Sequence, residues 1–252
     1  MFDLTGQAAI ITGSGSARGI GRAIAIALAK QGARVVIADI NESGVNETVG
    51  TISSSGGKAI GVKLDVTDQA SVDSMIETVL KAYTKIDILV NNAGISQRVT
   101  VEEMTIEDMR RVFEINMFGL FRCSKAVLAP MKAQKYGRII NMSSAAGKRG
   151  GGFFGGAHYS ASKAAVLGFS KNLAREVAEY GITVNSIAPG LIDTDIWATM
   201  PKDVADQIIA GIPVGRPGDT KEIAAAVCYL ASKEAAFITG EDIDINGGSH
   251  MD

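Results

Sequence analysis

Short runs of β-branched and aliphatic residues alternate with longer helical patterns along all 252 residues, and no other feature of the chain constrains its fold as strongly. The runs are AAIIT from Ala8, ARVVIADI from Ala33, AIGVKLDV from Ala59, IDILVNNAG from Ile86, GRIINMSS from Gly137, ITVNSIAPG from Ile182 and the closing EDIDING. Most are apolar on both faces, so both faces must be covered. That is the situation of a parallel strand flanked by crossover helices. Between them lie GRAIAIALAKQG, SVDSMIETVLKAY, a long helix from about Thr105 to Met131, YSASKAAVLGFSKNLAREVAEY and TKEIAAAVCYLAS. The alternation predicts an α/β protein, a doubly wound seven-stranded parallel sheet with helices on both faces, as in a Rossmann fold. No linker or break in composition interrupts residues 1–252, so a single domain is expected.

Composition narrows the function classes. A net charge of −2 leaves no basic excess for phosphate backbones, so no nucleic-acid partner is expected. No apolar stretch reaches the ~18 residues a membrane span needs, and no basic, apolar leader opens the chain. A cytoplasmic protein with no membrane partner is the expectation. Cys123 and Cys228 sit in apolar helical patterns and read as buried thiols. The two histidines, His158 and His250, have no Cys partner at ligand spacing, so no metal is expected. Glycine is abundant at 29 residues against 5 prolines, which points to tight turns and close backbone approaches.

The densest glycine cluster follows the first strand, Thr12-Gly13-Ser14-Gly15-Ser16-Ala17-Arg18-Gly19-Ile20-Gly21, and a helix starts there. Such a loop lets backbone N–H groups and a helix N-terminus approach a pyrophosphate, and Gly21 would permit close helix–strand packing. The strict dinucleotide pattern does not fit, because Arg18 stands where its third glycine would be. A plain strand–helix turn is the alternative reading. Asp39 closes the second strand, 20 residues after Gly19. A carboxylate there accepts hydrogen bonds from both hydroxyls of an adenosine ribose and repels a 2′-phosphate, which favours NAD over NADP. Arg18 argues the other way, since an arginine in that loop can face a 2′-phosphate. NADP therefore stays open.

Tyr159 and Lys163, in YSASK, are four residues apart and share one helix face. A phenol is a poor base at neutral pH; lowering its pKa by about 3 units takes roughly 4 kcal/mol, which a neighbouring ammonium in a dry site can help supply. Ser144 ends the strand GRIINMSS, at the carboxyl edge where parallel sheets bind ligands.

With these residues in place, the chain resembles the short-chain dehydrogenase/reductase family over Leu4 to Gly248. The motifs occur in the family's order: TGSGSARGIG at 12–21, Asp39, LDVTD at 64–68, NNAG at 91–94, Asn116 in EINMFG, NMSS at 141–144, YSASK at 159–163 and NSIAPGLIDT at 185–194. The resemblance implies a nicotinamide-dependent oxidoreductase. It implies Tyr159 as the acid/base, and Lys163 as the residue that lowers its pKa and holds the nicotinamide ribose. It implies Ser144 on the substrate oxygen and Asn116 anchoring a water in a relay to Lys163. For the cofactor it implies Gly13, Ser16, Arg18, Gly19 and Ile20 at the phosphates, Asp39 and Ile40 at the adenosine, and Asp65 and Val66 at the adenine. Asn92, Ala93 and Gly94 would line it, with Pro189, Gly190, Ile192 and Thr194 at the nicotinamide carboxamide.

Two departures stand out. Five residues rather than the usual three separate TG from GIG, and Ser144 and Tyr159 are 15 positions apart, two more than is common. The extra residues fall in KRGGGFFGGAH, which places Phe153 and Phe154 beside the substrate. The polar stretch Ser96, Gln97 and Arg98 and a lid over about 191–213 carrying Trp197 complete the expected pocket. His158 adjoins Tyr159 but points elsewhere on a helix, so no acid/base role is expected of it.

The substrate expected from the polar stretch is a small polyol, sugar or hydroxy acid, interconverted with its ketone using NAD. The second reading is an NADPH-dependent 3-oxoacyl-(acyl-carrier-protein) reductase. It ranks lower here because Asp39 opposes NADPH, and because Lys135 and Tyr180 stand where a carrier-docking arginine pair would be. A non-catalytic nucleotide-sensing scaffold is the remote third reading. The intact set Asn116, Ser144, Tyr159 and Lys163 argues against it. The resemblance also implies a homotetramer of D₂ symmetry.

Overall fold

Six of the seven strands form because they supply an apolar side chain to both faces of the sheet; the last alternates Asp242 and Asp244 with Ile243 and Ile245 and so packs apolar residues on one face only. In the computed structural model, which describes residues 1–151, 155–195 and 202–251, β1 (Ala8–Thr12), β4 (Ile88–Asn91), β5 (Gly137–Met142) and β6 (Ile182–Pro189) are buried at every position. With β2 (Arg34–Asp39), β3 (Lys58–Lys63) and β7 (Asp242–Ile245) they make one seven-stranded sheet in the order β3-β2-β1-β4-β5-β6-β7. Every pairing is parallel. The chain steps outward from β1 to β3, then returns to place β4 on the other side of β1. The strand order therefore reverses between β1 and β4, and a ligand crevice opens at the carboxyl ends there.

Alternation along the strands feeds two separate cores. Ala9 and Ile11 of β1 face one way and pack with Ile24 and Leu28 of α1 (Ile20–Lys30) and with Ile223 and Val227 of α9 (Thr220–Ala231). Ala8 and Ile10 face the other way. Their partners are Val72 and Met75 of α3 (Gln69–Tyr83), Val127 of α5 (Leu120–Gln134) and Leu173 of α7 (Ala157–Val177). Cys123 and Cys228 lie in opposite cores, and burial pushes their thiols up to about 12 and about 11. The remaining helices are α2 (Glu42–Ser54), α4 (Ile106–Phe113), α6 (Ala145–Arg149) and α8 (Lys202–Ala210). Among the described residues no helix is long and apolar enough to cross a membrane.

One element differs from the sequence expectation. The single helix from Thr105 to Met131 is instead α4, a π-helical segment Glu114–Gly119, and α5. The wide turn sits where the helix must meet two other segments. Asn116 bonds to the backbone of Ile95, and Gly119 lies so close to Val66 that a Cβ would come within 2.7 Å of its Cγ2. Single π turns of this kind are found most often at functional sites.

Helix α2 provides a test of these close approaches. A Cβ on Gly44 would overlap the Gly15 carbonyl of the glycine loop, whereas Gly50, two turns on, has nothing within 4 Å. Gly44→Ala is expected to lower stability by about 2 kcal/mol, or about 4–8 °C in Tm. Gly50→Ala is expected to raise stability by about 0.5–1 kcal/mol. Thermal unfolding followed by circular dichroism checks both; equal effects would contradict the packing described.

Candidate active site

Six strand ends converge on one cleft of about 700 Å³, a size suited to an extended small-molecule ligand. Every residue expected on the cofactor lines it except Arg18. Ser96, Ser144 and Tyr159, expected at the substrate, line it as well; Arg98 does not. Phe153, Phe154 and Trp197 fall outside the described residues. The cleft also takes in Leu64, Thr67, Ile95, Ile115, Met142, Ser143, Leu191 and Asp195. Leu64, Thr67, Ile115, Met142, Ser143 and Leu191 lie inside the motifs quoted above and Asp195 inside the expected lid, while Ile95 directly follows Gly94.

The glycine end is built by contacts that no side chain would permit. Gly13 ends β1 with φ +67°, and a Cβ there would stand 2.6 Å from the Ala93 Cα. A Cβ at Gly21 would overlap the Gly13 carbonyl, so the close packing expected of Gly21 is present. Asn92 donates from Nδ2 to the carbonyls of Thr12 and Gly13 at 3.0 and 2.7 Å, tying β4 to β1 at the crevice. Helix α1 starts at Gly19 in extended conformation with no side-chain cap. Its first N–H groups thus meet the cleft unsatisfied by any side chain, which is the arrangement that receives a phosphate. Ser14, in the lengthened loop, is buried: its hydroxyl donates to the Ile11 carbonyl at 2.8 Å and accepts from Ala38 N at 3.1 Å.

Asp39 stands at the far end. Its Oδ2 accepts from Gly15 N at 2.8 Å and its Oδ1 from Asn41 N at 2.9 Å. Each oxygen retains a lone pair, so a pinned carboxylate can still accept two hydroxyls. Asp65 is held in the same manner by the amide and hydroxyl of Thr67, which lower its pKa. This cradle fits a dinucleotide with its pyrophosphate on α1 and its ribose at Asp39. Arg18 corrects the sequence expectation. Its guanidinium turns away to Asp193 at 2.7 Å, while Ser16 donates to Asp195 at 2.9 Å.

At the opposite end, α7 brings Tyr159 and Lys163 to the cleft on one face. Lys163 is buried, its ammonium donates to the Met142 carbonyl at 2.7 Å, and it lies 5.9 Å from the Tyr159 ring centre. Desolvation lowers it from an ordinary 10.5 to about 8. Burial raises the Tyr159 phenol above its ordinary value, and a hydrogen bond from Ser144 partly opposes this. Ser144 caps α6, accepting from Ala146 N at 3.2 Å, so its own proton is directed outward. Lys148, near the end of α6, pairs with Asp244 of β7 at 2.7 Å and fixes that short helix to the sheet.

Asn116 is buried behind the cleft wall. Its Oδ1 accepts from Ile95 N at 2.8 Å, and its Nδ2 donates to Ile95 O at 2.9 Å and Ser162 Oγ at 3.1 Å. It thereby locks the segment after β4 to α7. Gln97 departs from the expectation of a polar substrate wall. It donates to Asp108 at 2.7 Å, accepts from Arg111 at 2.9 Å and holds Gly156 N through its carbonyl. His158 is fully buried with Nε2 3.5 Å from Gln97, away from the cleft.

The lowered Lys163 value has a stability consequence. Between about 8 and 10.5 the unfolded chain holds this proton and the fold releases it, so stability rises with pH in that window. Relative to Lys163→Met, the wild type is expected to gain about 1 kcal/mol between about pH 7 and pH 9. Urea unfolding at both pH values measures it; parallel curves for the two proteins would contradict a desolvated ammonium.

Residues 13–250 match the family model described as enoyl-(acyl carrier protein) reductase. The chain is 45% identical over 250 residues to the 3-oxoacyl-(acyl-carrier-protein) reductase FabG of Escherichia coli (strain K12), covering 99% of this chain and all of that protein. It is 42% identical over 247 residues to the uncharacterized short-chain type dehydrogenase/reductase y4mP of Sinorhizobium fredii, covering 97% and 98%. The crystal structure of gox2181 matches with a TM-score of 0.94 at 36% identity, covering 98% of this chain and 97% of that one.

Proposed function

This chain belongs to the short-chain dehydrogenase/reductase family of oxidoreductases, and from that premise we propose that it reduces the keto group of a 3-oxoacyl thioester with NADH. The observation that carries the reaction is that the Tyr159 phenol and the Ser144 hydroxyl line one cleft with the buried Lys163 ammonium, 5.9 Å from the Tyr159 ring centre, where burial favours the neutral phenol. A neutral phenol is the proton donor that carbonyl reduction needs.

When bound, the nicotinamide supplies a hydride to the carbonyl carbon. Ser144 donates a hydrogen bond to the carbonyl oxygen and stabilises the charge that develops there. Tyr159 gives its phenolic proton to that oxygen, completing the alcohol. The Lys163 ammonium stabilises the phenolate left behind, and Asn116 keeps Ile95 and α7 in register around it. Gly13, Ser16, Gly19 and Ile20 would hold the phosphates, with Asp39 and Ile40 toward the adenosine and Asp65 and Val66 toward the adenine. Asn92, Ala93 and Gly94 line the middle of the cofactor. Pro189, Gly190, Ile192 and Thr194 would hold the carboxamide end.

The thioester replaces the polyol, sugar or hydroxy acid as first reading for two reasons. Relatives named 3-oxoacyl-(acyl-carrier-protein) reductase cover the chain end to end, as the FabG protein does at 45% identity. In addition, Gln97, which suggested a polar substrate, is spent on Asp108 and Arg111. The NADH preference rests on Asp39. A 2′-phosphate would meet its carboxylate at close range, a repulsion of about 1–4 kcal/mol at protein-surface dielectric. Homotetramer assembly is part of the proposal. Phe118 and Phe121 stand exposed on the π segment and α5, where Phe121 meets Phe169 of α7. A monomer mass by light scattering would overturn it.

Consumption of reduced nicotinamide with acetoacetyl thioesters, set against polyols and hydroxy acids with the oxidised cofactors, tests the substrate. Thioester reduction with NADH favoured at least about tenfold is expected. Turnover of polyols alone would sink the thioester, and reduction with NADPH alone would sink the Asp39 argument. Tyr159→Phe is expected to lose at least about 10²-fold in kcat while NADH still binds in a fluorescence titration. Retained turnover would remove Tyr159 from its role.

A further inference from the structure

The glycine loop from Gly13 to Gly21 carries a single cation, Arg18. The same loop passes Asp39, because Gly15 N donates to the Asp39 carboxylate at 2.8 Å. Arg18 is three residues beyond Gly15, so about 11 Å of extended chain and a long side chain separate its guanidinium from that end. A 2′-phosphate beside Asp39 would be within its range. The guanidinium is instead engaged on the opposite wall, 2.7 Å from Asp193 Oδ1 and 4.0 Å from Asp195 Oδ1. Ser16 joins the same wall through Asp195 at 2.9 Å.

That wall is itself fixed. Asp193 N donates to the Gly218 carbonyl at 2.8 Å, and Ile192 pairs with Gly218 in a parallel bridge. The carboxylates are therefore presented from an anchored backbone, two residues apart, to two positions of the glycine loop. The guanidinium N–H that Arg18 gives to Asp193 Oδ1 is one that would otherwise serve a phosphate.

We infer that Asp193 and Asp195 are specificity-determining residues: by holding Arg18 and Ser16 on the segment after β6, they withhold the loop's cation from a 2′-phosphate. Asp39 repels the phosphate, and these two acids remove the group that would compensate. This rests on the proposed reading of the cleft as a nicotinamide dinucleotide site.

The test titrates the full-length protein with NADH and with NADPH by fluorescence. Wild type, the Asp193→Asn/Asp195→Asn double variant, Arg18→Ala and the triple variant are compared. The quantity read is the ratio of the two dissociation constants, which cancels any general effect of removing charge near the cleft. The pairs are half-exposed, so freeing Arg18 is expected to lower the NADPH-to-NADH ratio about fivefold. In the Arg18→Ala background the same two substitutions are expected to leave the ratio unmoved. An unchanged ratio in the double variant overturns the inference. So does an equal fall in the presence and absence of Arg18. A wild type that prefers NADPH overturns the Asp39 argument instead, and an Arg18-dependent fall in that protein still upholds the role of Asp193 and Asp195.

Discussion

A buried ammonium is costly unless its surroundings supply hydrogen bonds. Lys163 sits almost wholly out of solvent, with its Nζ on the Met142 carbonyl at 2.7 Å. Its own carbonyl accepts from Ser143 Oγ at 2.9 Å. Helix α7 is thus joined to the end of β5 through both the side chain and the backbone of one residue. Ser144 follows Ser143 directly, and Tyr159 lies one turn before Lys163. The distance between the serine and tyrosine hydroxyls therefore depends on this junction. Gly147 sits on the same junction, where a Cβ would come within 2.7 Å of the Lys163 carbonyl carbon.

The other end of the cleft depends on a comparable junction between β1 and β4. Thr12 Oγ1 accepts from the amides of Asn92 and Ala93, both at 3.0 Å, while the Asn92 side chain returns two bonds to β1. Parallel neighbours are normally related only by their ladder. Here the ladder is extended past its last pair, where the strand order reverses. The two junctions set the ends of a cleft that can hold a long ligand, and Asn116 connects them by fixing Ile95 against Ser162.

Much of this was legible in the residues. Six of the strands could be read because they are apolar on both faces and the last because Asp242 and Asp244 alternate with Ile243 and Ile245, and Tyr159, Lys163 and Ser144 because spacing puts two on one helix face and the third at a strand end. What was not legible is long-range or polar. The π segment at Glu114–Gly119 is hidden because no proline or turn residue marks its start; Asn116 and Gly119, the residues that require it, act on Ile95 and Val66 far away in sequence. Gln97 looked like a substrate contact because polarity alone does not say which partner a side chain will find. Arg18 looked free to meet a phosphate because its partner Asp193 lies 175 positions away. Polar partners across such separations carry no local signature.

The central claim is that a protonated Tyr159 and a charged Lys163 work together in carbonyl reduction. The pH dependence of kcat/KM for thioester reduction tests it most directly. The account predicts a rate that is flat through neutral pH and falls above about 8, as the desolvated ammonium loses its proton. The fall should disappear in Lys163→Met, whose residual rate is low throughout. A rate that rises with pH across the same interval would show that reduction needs a deprotonated group, and would contradict the account.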